Sequence, residues 1–352
     1  METNLIQKLI EIKSISGNKI ECQNALKIIG AEITNNQIPC KIRNRKGFPF
    51  LIAGKINGAP ILFLSHIDVV MANDELFIFR KRMNKIFGRG ALDMKGPLAA
   101  TLDAFIKLWK SGKRNIIFVV TSDEEMGGFN GTGFLVKSIF KNIKLAIVPD
   151  STGNDLVSIQ KAPFHIKIFA KGKSAHGSKP WEGKNAAKKL IECCLKVLAN
   201  LNGNLHESTT ATLTQFHSGE MTNVVPNKAE AIIDIRIKQQ SEVTQITNMI
   251  EAITKENQCS WKKIDEPLFF EAPLNDIFIK KWIKIFRELN GIKIRIKIEN
   301  GASDARFLWK HLKIPVIVTS AVGGCAHGDG EWVDFNSLNR LSEMIVKFII
   351  SL

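Results

Sequence analysis

The stretch TSDEEMGG, residues 121–128, sets three acids side by side (Asp123, Glu124 and Glu125) directly after the apolar run NIIFVV. Carboxylates at the end of a buried strand are costly unless a metal or a proton offsets them. Other apolar runs end the same way. FLSHID ends in His66 and Asp68, AIVPD in Asp150, and IVTSAVGGCAHGD reaches His327 a few residues on. Two histidines with several carboxylates form the ligand type for one or two Zn²⁺ ions, each able to lower the pKa of a bound water. Asp93, in the glycine-flanked loop GRGALDMKG, supplies a carboxylate able to bridge two ions. His66 and Asp68 are two apart on a strand and point the same way, which lets Asp68 orient His66 from behind. Adjacent strand-end side chains diverge, so one Glu of the pair binds metal while the other stays free as a general base. Each feature alone has a bland reading: a Glu-Glu pair is most often a solvated loop, and GRGALDMKG lacks the spacing of a phosphate or dinucleotide loop. Their joint occurrence in this order carries the argument.

Such residues need elements to converge them. Short runs rich in Ile, Val, Leu and Phe, at 60–66, 115–122, 144–150 and 314–320, alternate with helical patterns at 3–13, 97–111 and 335–351. That alternation predicts an α/β fold with a mostly parallel sheet, in which ligands gather at the carboxyl ends of the strands. Between about 161 and 271 the texture changes. PFHIKIFAKG and AEAIIDIRIK alternate apolar and polar residues, the pattern of an antiparallel sheet with one solvated face, and two amphipathic helices accompany them. The expected organisation is a domain of 1–160 and 272–352 carrying the site, with a small α+β domain of 161–271 inserted into it.

Composition narrows the class. No apolar stretch approaches the roughly 20 residues of a membrane span, and the amphipathic, acid-containing N-terminus lacks a signal-peptide pattern. Six scattered cysteines without framework spacing fit reduced thiols in a cytoplasm. The 49 basic against 34 acidic residues give a net charge of +15, but the Lys and Arg are spread along the chain, which favours a solvated surface over a nucleic-acid site. Tyrosine is absent, so any general-acid or oxyanion role falls to His, carboxylate, backbone or metal.

LSHIDVV, GRGALDMKGPLAA, TSDEEMGG, PDST, KGKSAHGSKPWEGKNA, NVVPNKAEAIIDIR, GASDARF and GGCAHGDGEWV together span nearly the whole chain. In these motifs the chain resembles the dinuclear zinc amidohydrolase and peptidase family of acetylornithine deacetylase, succinyl-diaminopimelate desuccinylase, aminoacylase and glutamate carboxypeptidase. The resemblance implies an α/β catalytic domain interrupted by a ferredoxin-like lid that dimerises. It implies that His66 and Glu125 are terminal ligands of two metals, that Asp150 and His327 complete the set, and that Asp93 bridges. Glu124 resembles the general base and Asp68 the residue that orients His66. His176, in SAHGS, matches a histidine that reaches the neighbouring subunit's site to support the oxyanion. Asn223 in TNVVP and Arg236 in DIR match substrate-side positions, and Arg236 or Arg306 is suited to hold a substrate carboxylate through two parallel hydrogen bonds.

Two departures stand out. The usual glycine-proline before the last histidine is replaced by AVGGCAH, which puts Cys325 two residues from His327 as a packing thiol or a soft ligand. The segment between SHIDVV and GRG is short and basic. His165, His206, His217 and His311 lie outside the motifs and are expected to be structural or on the surface. The resulting expectation is a cytoplasmic hydrolase, with no nucleic-acid or membrane partner, that cleaves an amide in a small N-acyl amino acid or peptide through a metal-activated water. It would use two divalent ions, Zn²⁺ or alternatively Co²⁺ or Mn²⁺, in a homodimer. A dedicated biosynthetic deacylase and a metal-free binding module are the alternatives; metal content separates the latter.

Overall fold

A computed structural model describes residues 2–55, 58–202 and 208–352. His206 lies outside the described residues. The chain divides into two compact units: Met1–Ser158 with Glu271–Lys297 and Ser303–Leu352, and Ile159–Phe270 with Ile298–Ala302. The short return at Ile298–Ala302 has no counterpart in the sequence reading.

The larger unit is built on a six-stranded sheet in the order Cys40–Arg45, Phe48–Gly54, Ile116–Thr121, Ile61–His66, Leu145–Val148, Val316–Val318. The last four strands run parallel and the first two pair antiparallel at one edge. Ile61–His66, Ile116–Thr121 and Leu145–Val148 are buried at every position, as strands covered on both faces must be, and this explains their continuous apolar runs. The antiparallel edge is not evident in the sequence. CKIRNR is largely polar because it is an outer strand, and Pro49 breaks the strand signature of FPFLIAG.

The helix Lys95–Lys110 packs on this sheet through Phe105, whose ring lies 5.5 Å from Phe118 and 6.1 Å from Phe63. Truncating such a buried ring costs about 3–5 kcal/mol. The helix begins two residues before Pro97, so the proline sits in the first turn, where its missing N–H removes no intrahelical bond.

The smaller unit carries a four-stranded antiparallel sheet in the order Thr210–Ser218, Lys228–Ile237, Ala162–Lys171, Cys259–Lys263. Burial alternates along Ala162–Lys171 and Lys228–Ile237 as the period-two pattern requires. The helix Ala186–Leu201, capped by the Asn185 side chain accepting from Lys188 N–H, turns Leu190, Cys193, Val197 and Leu201 into the core. No described helix is long and apolar enough to cross a membrane. All six cysteines are free thiols.

Candidate active site

In the larger unit the carboxyl ends of the parallel strands and the loops beyond them bring the acids and imidazoles together. His66 closes its strand with Nε2 at 3.2 Å from Asp93 Oδ1 and 3.9 Å from Asp150 Oδ2. His327 Nε2 lies 3.1 Å from Asp93 Oδ2 and 3.1 Å from Glu125 Oε1. Asp93 therefore turns one carboxylate oxygen to each imidazole. Two donor sets result, His66–Asp93–Asp150 and Asp93–Glu125–His327, each with its ligand atoms within 4.8 Å of one another. Glu124 belongs to neither set.

The turn Glu124–Met126 is a short 3₁₀ segment held from beneath. Asp68, fully buried, accepts the Glu124 N–H at 3.3 Å and the Glu125 N–H at 3.2 Å on its two carboxylate oxygens, and Ser16 Oγ donates to it at 2.7 Å. The sequence reading gave this carboxylate to His66. Its nearest oxygen is 3.5 Å from His66 Nδ1, whereas the main-chain carbonyl of Asp68 is at 3.0 Å. A neutral His66 with Nδ1–H bonded to that carbonyl leaves Nε2 as an acceptor aimed at the acids. Asp68 thus supports the histidine through its backbone and the glutamate pair through its side chain.

The electrostatics support a cation. Asp93, Glu124, Glu125 and Asp150 surround two imidazoles, so with every acid ionised and both rings protonated the group still carries two net negative charges. Burial raises the Glu124 and Asp150 carboxyls well above the usual carboxylate range, Glu124 further through Asp150 and Asp150 further through Asp93. Burial also opposes ionisation of Asp93, but the His327 hydrogen bond and the close His66 and His327 imidazoles outweigh it and hold that carboxyl low. The Asp93 and Glu125 carboxylates raise the His327 imidazole to about 10. His66 Nε2 is buried without a hydrogen-bond partner; its contact with Asp93 is short but lacks hydrogen-bonding geometry. A buried ring nitrogen without a hydrogen-bond partner, set among carboxylates in excess, fits a divalent metal with N/O ligands.

The remaining expected residues fall into two groups. Arg306, in the first turn of Ala305–Leu312, is buried and donates from Nη2 to the Gly127 carbonyl at 2.9 Å. Its guanidinium therefore braces the glutamate turn. His176, Asn223 and Arg236 belong to the smaller unit. His176 is exposed, and its Nδ1 accepts from Ser178 Oγ at 2.8 Å and Ser178 N–H at 3.2 Å, which leaves Nε2–H free to donate. The Asn223 carbonyl, alongside, accepts the Gly177 N–H at 2.7 Å. Arg236 is paired with Asp234 on the open face of the sheet, with Nη2 at 2.9 Å. Cys325 is exposed and belongs to neither donor set. His165 is paired with Asp265 and His217 lies on the strand Thr210–Ser218.

Three residues escaped the sequence reading, although each sits inside a motif it used. Asp304, in GASDARF, is buried and accepts from Thr132 Oγ1 at 2.5 Å behind the glutamate turn. Arg89 and Glu331 form a buried ion pair at 2.7 Å next to the Asp93 loop. Their signal was a charge flanked by glycine in otherwise apolar surroundings, which spacing alone does not separate from a solvated loop.

Taken together, an open α/β sheet with two carboxylate-histidine donor sets sharing an aspartate is the arrangement of a hydrolytic metal centre. The chain belongs to Peptidase family M20/M25/M40, matching it over residues 62–351, and is a metal-dependent hydrolase of that family. It is 27% identical to a succinyl-diaminopimelate desuccinylase of Blochmanniella floridana, over 98% of this chain and 97% of that protein. A succinyl-diaminopimelate desuccinylase of Rickettsia africae is 29% identical, covering 84% of each chain. Among solved structures, a tripeptidase of Staphylococcus aureus superposes with a TM-score of 0.79 at 23% identity, over 98% of this chain and 96% of that one. A family M20 metallo-carboxypeptidase of Sulfolobus solfataricus gives 0.79 at 16% identity over 99% of each. These structural likenesses show the fold.

Proposed function

We propose that the protein hydrolyses the amide bond of a small N-acyl amino acid or short peptide at a centre of two divalent cations, Zn²⁺ in the first instance, with Co²⁺ or Mn²⁺ as substitutes. The observation that carries this reading is the sharing of Asp93 by two three-residue donor sets. His66 and Asp150 would hold one ion, Glu125 and His327 the other, and Asp93 both. When bound, such ions lower the pKa of water and polarise a carbonyl. Glu124, outside both donor sets, takes the proton from the attacking water and returns it to the leaving amine. Asp68 holds Glu124 and Glu125 in their orientations through their N–H groups. His176 presents Nε2–H to the oxyanion of a neighbouring subunit, making the working form a homodimer in which residues 161–271 act as lid and dimerisation domain. Asn223 and Arg236 stand on the substrate side. Arg236 or Arg306 takes a substrate carboxylate, Arg236 beside its bond to Asp234 and Arg306 beside its bond to Gly127. The six free thiols support a reducing compartment such as the cytoplasm.

The second reading, a dedicated biosynthetic deacylase, draws on the names of the relatives. One experiment addresses both. Metal content is measured on the wild type and on Glu124→Ala, and amine release is followed over N-acetyl and N-succinyl amino acids, N-succinyl-diaminopimelate, dipeptides and tripeptides. The expected result is the same near-stoichiometric metal in both proteins, with hydrolysis reduced about 10²–10⁴-fold in Glu124→Ala. Activity confined to one succinylated or acetylated substrate selects the dedicated deacylase. A wild type that is inactive and cannot be loaded with Zn²⁺, Co²⁺ or Mn²⁺ overturns the hydrolase reading in favour of a binding module.

A further inference from the structure

Asp93 and His327 reach the site on loops far apart in sequence, and one buried ion pair joins them. Glu331 Oε1 accepts the Leu92 N–H at 2.9 Å and the Asp93 N–H at 3.0 Å. Its Oε2 accepts the Gly90 N–H at 3.0 Å and Arg89 Nη1 at 2.7 Å. Arg89 then extends Nη2 to the His327 carbonyl at 3.0 Å, spanning 238 residues of sequence. Both side chains are almost wholly buried. The carboxylate thus fills a nest of three main-chain N–H groups on the Asp93 loop, and the guanidinium carries that anchorage across to the loop of His327.

His66 has a separate support, the Asp68 carbonyl. The two donor sets are therefore held from behind by different devices. His327 has φ 64° and Cys325 φ 57°, left-handed conformations that non-glycine residues adopt only where the surroundings impose them. The Arg89 contact on the His327 carbonyl is one such restraint. We propose that Arg89 and Glu331 are positioning residues for the Asp93–Glu125–His327 cation site, with Arg89 acting chiefly on that site through the His327 carbonyl and Glu331 acting on both through the shared Asp93. The inference rests on the two-cation reading given above.

The chemistry of the pair dictates the variants. Lysine keeps the charge but lacks the planar fork, so it does not reproduce the separate Nη1 and Nη2 positions that meet Glu331 and the His327 carbonyl. Glutamine at 331 keeps the shape but turns an NH₂ donor toward main-chain donors. The test is a calorimetric titration of the chelator-stripped full chain with Co²⁺, read in parallel by visible absorption of the bound ion, with a melting curve of each protein as a fold control. The wild type should take up two ions. Arg89→Lys should weaken one of them by about 10–100-fold, the range that orienting contacts behind metal ligands command, and leave the other within about threefold; Arg89→Met, which leaves Glu331 buried without its cation, should weaken both, the first more. Glu331→Gln should weaken both. Two unchanged Co²⁺ affinities in either Arg89 variant overturn the proposal, as does an equal loss at both sites in a folded Arg89→Lys. If Arg89→Met fails to fold, Arg89→Lys decides. Fewer than two ions in the wild type overturns the two-cation reading itself and this inference with it, a result distinct from two intact sites in the variants.

Discussion

The two units solve the problem of placing polar groups in opposite ways. In the larger unit the supporting residues are buried beneath half-buried acids and an exposed His327, and each leans on another: Asp68 on the glutamate turn, Arg306 on Gly127, Glu331 on the Asp93 loop. In the smaller unit His176 and Arg236 are held by their own neighbours in sequence, Ser178 and Asp234, and they face solvent. A charged cluster inside low-dielectric surroundings requires every group to be oriented by another. An exposed donor requires only a local hydrogen bond and an available N–H. The larger unit is therefore expected to be intolerant of small changes in shape, and the smaller one to tolerate substitution structurally while losing function.

That contrast can be broken at several points. The largest effect is expected from His176→Ala. In the oxyanion role proposed for it, its removal should lower kcat about 10²–10³-fold, while metal content and melting temperature stay at wild-type values. A coupled loss of metal would mean that this histidine is not independent of the ligand cluster. Next comes Gly128→Ala. Gly128 has φ +70° and an added Cβ would meet Asp304 Oδ1 at 2.2 Å. With backbone strain added to a displaced buried carboxylate, a loss of about 2 kcal/mol or more is expected in a denaturant titration. A neutral result would show that the glutamate turn yields more readily than its packing implies.

A smaller change is expected from Arg236→Lys, which keeps the charge but loses the planar fork. KM for carboxylate-bearing substrates should rise about tenfold, the worth of one charge-assisted hydrogen bond, with kcat nearly constant. A fall in kcat with KM unchanged would remove Arg236 from the substrate side.

The smallest effect is expected at His165, 3.6 Å from Asp234 and hydrogen-bonded to Asp265. The Asp265 contact raises the His165 imidazole above its ordinary value. Because the folded-state pKa is the higher one, this pair stabilises the fold fully below the unfolded pKa, near 6.5, and the contribution is lost as pH rises through the folded value. Asp265→Asn should therefore melt earlier than wild type at pH 6, by about 0.5 kcal/mol for so exposed a pair. The difference should close at high pH. An offset that persists at high pH would assign the effect to the Asp265 bond with the His165 N–H instead.

Legibility in the sequence followed the same divide. The buried strands Ile61–His66 and Ile116–Thr121 were readable because burial on both faces demands unbroken apolar runs, and most of the candidate ligands were readable because they follow such runs. The antiparallel edge at Cys40–Arg45 was not, since an outer strand needs no apolar run. That Asp68 meets His66 Nδ1 more closely with its main-chain carbonyl than with its carboxylate, which also takes the Glu124 and Glu125 N–H groups, was not readable, because strand periodicity ends at His66. That Arg306 also holds the Gly127 carbonyl was not readable, because sequence shows a charge and not what that charge is bonded to.

What the sequence determined by itself was the kind of chemistry available, through the types of residue at the strand ends, and the alternation that separates a buried parallel sheet from a half-solvated antiparallel one. These depend on side-chain chemistry and local period, which a linear string carries. Only the tertiary structure decided that Asp93 faces both histidines, that Asp68 serves two masters by different atoms, and that Arg89 ties His327 to Glu331. Those are relations between groups distant along the chain, set by directions and distances of a few ångströms, and no local pattern encodes them.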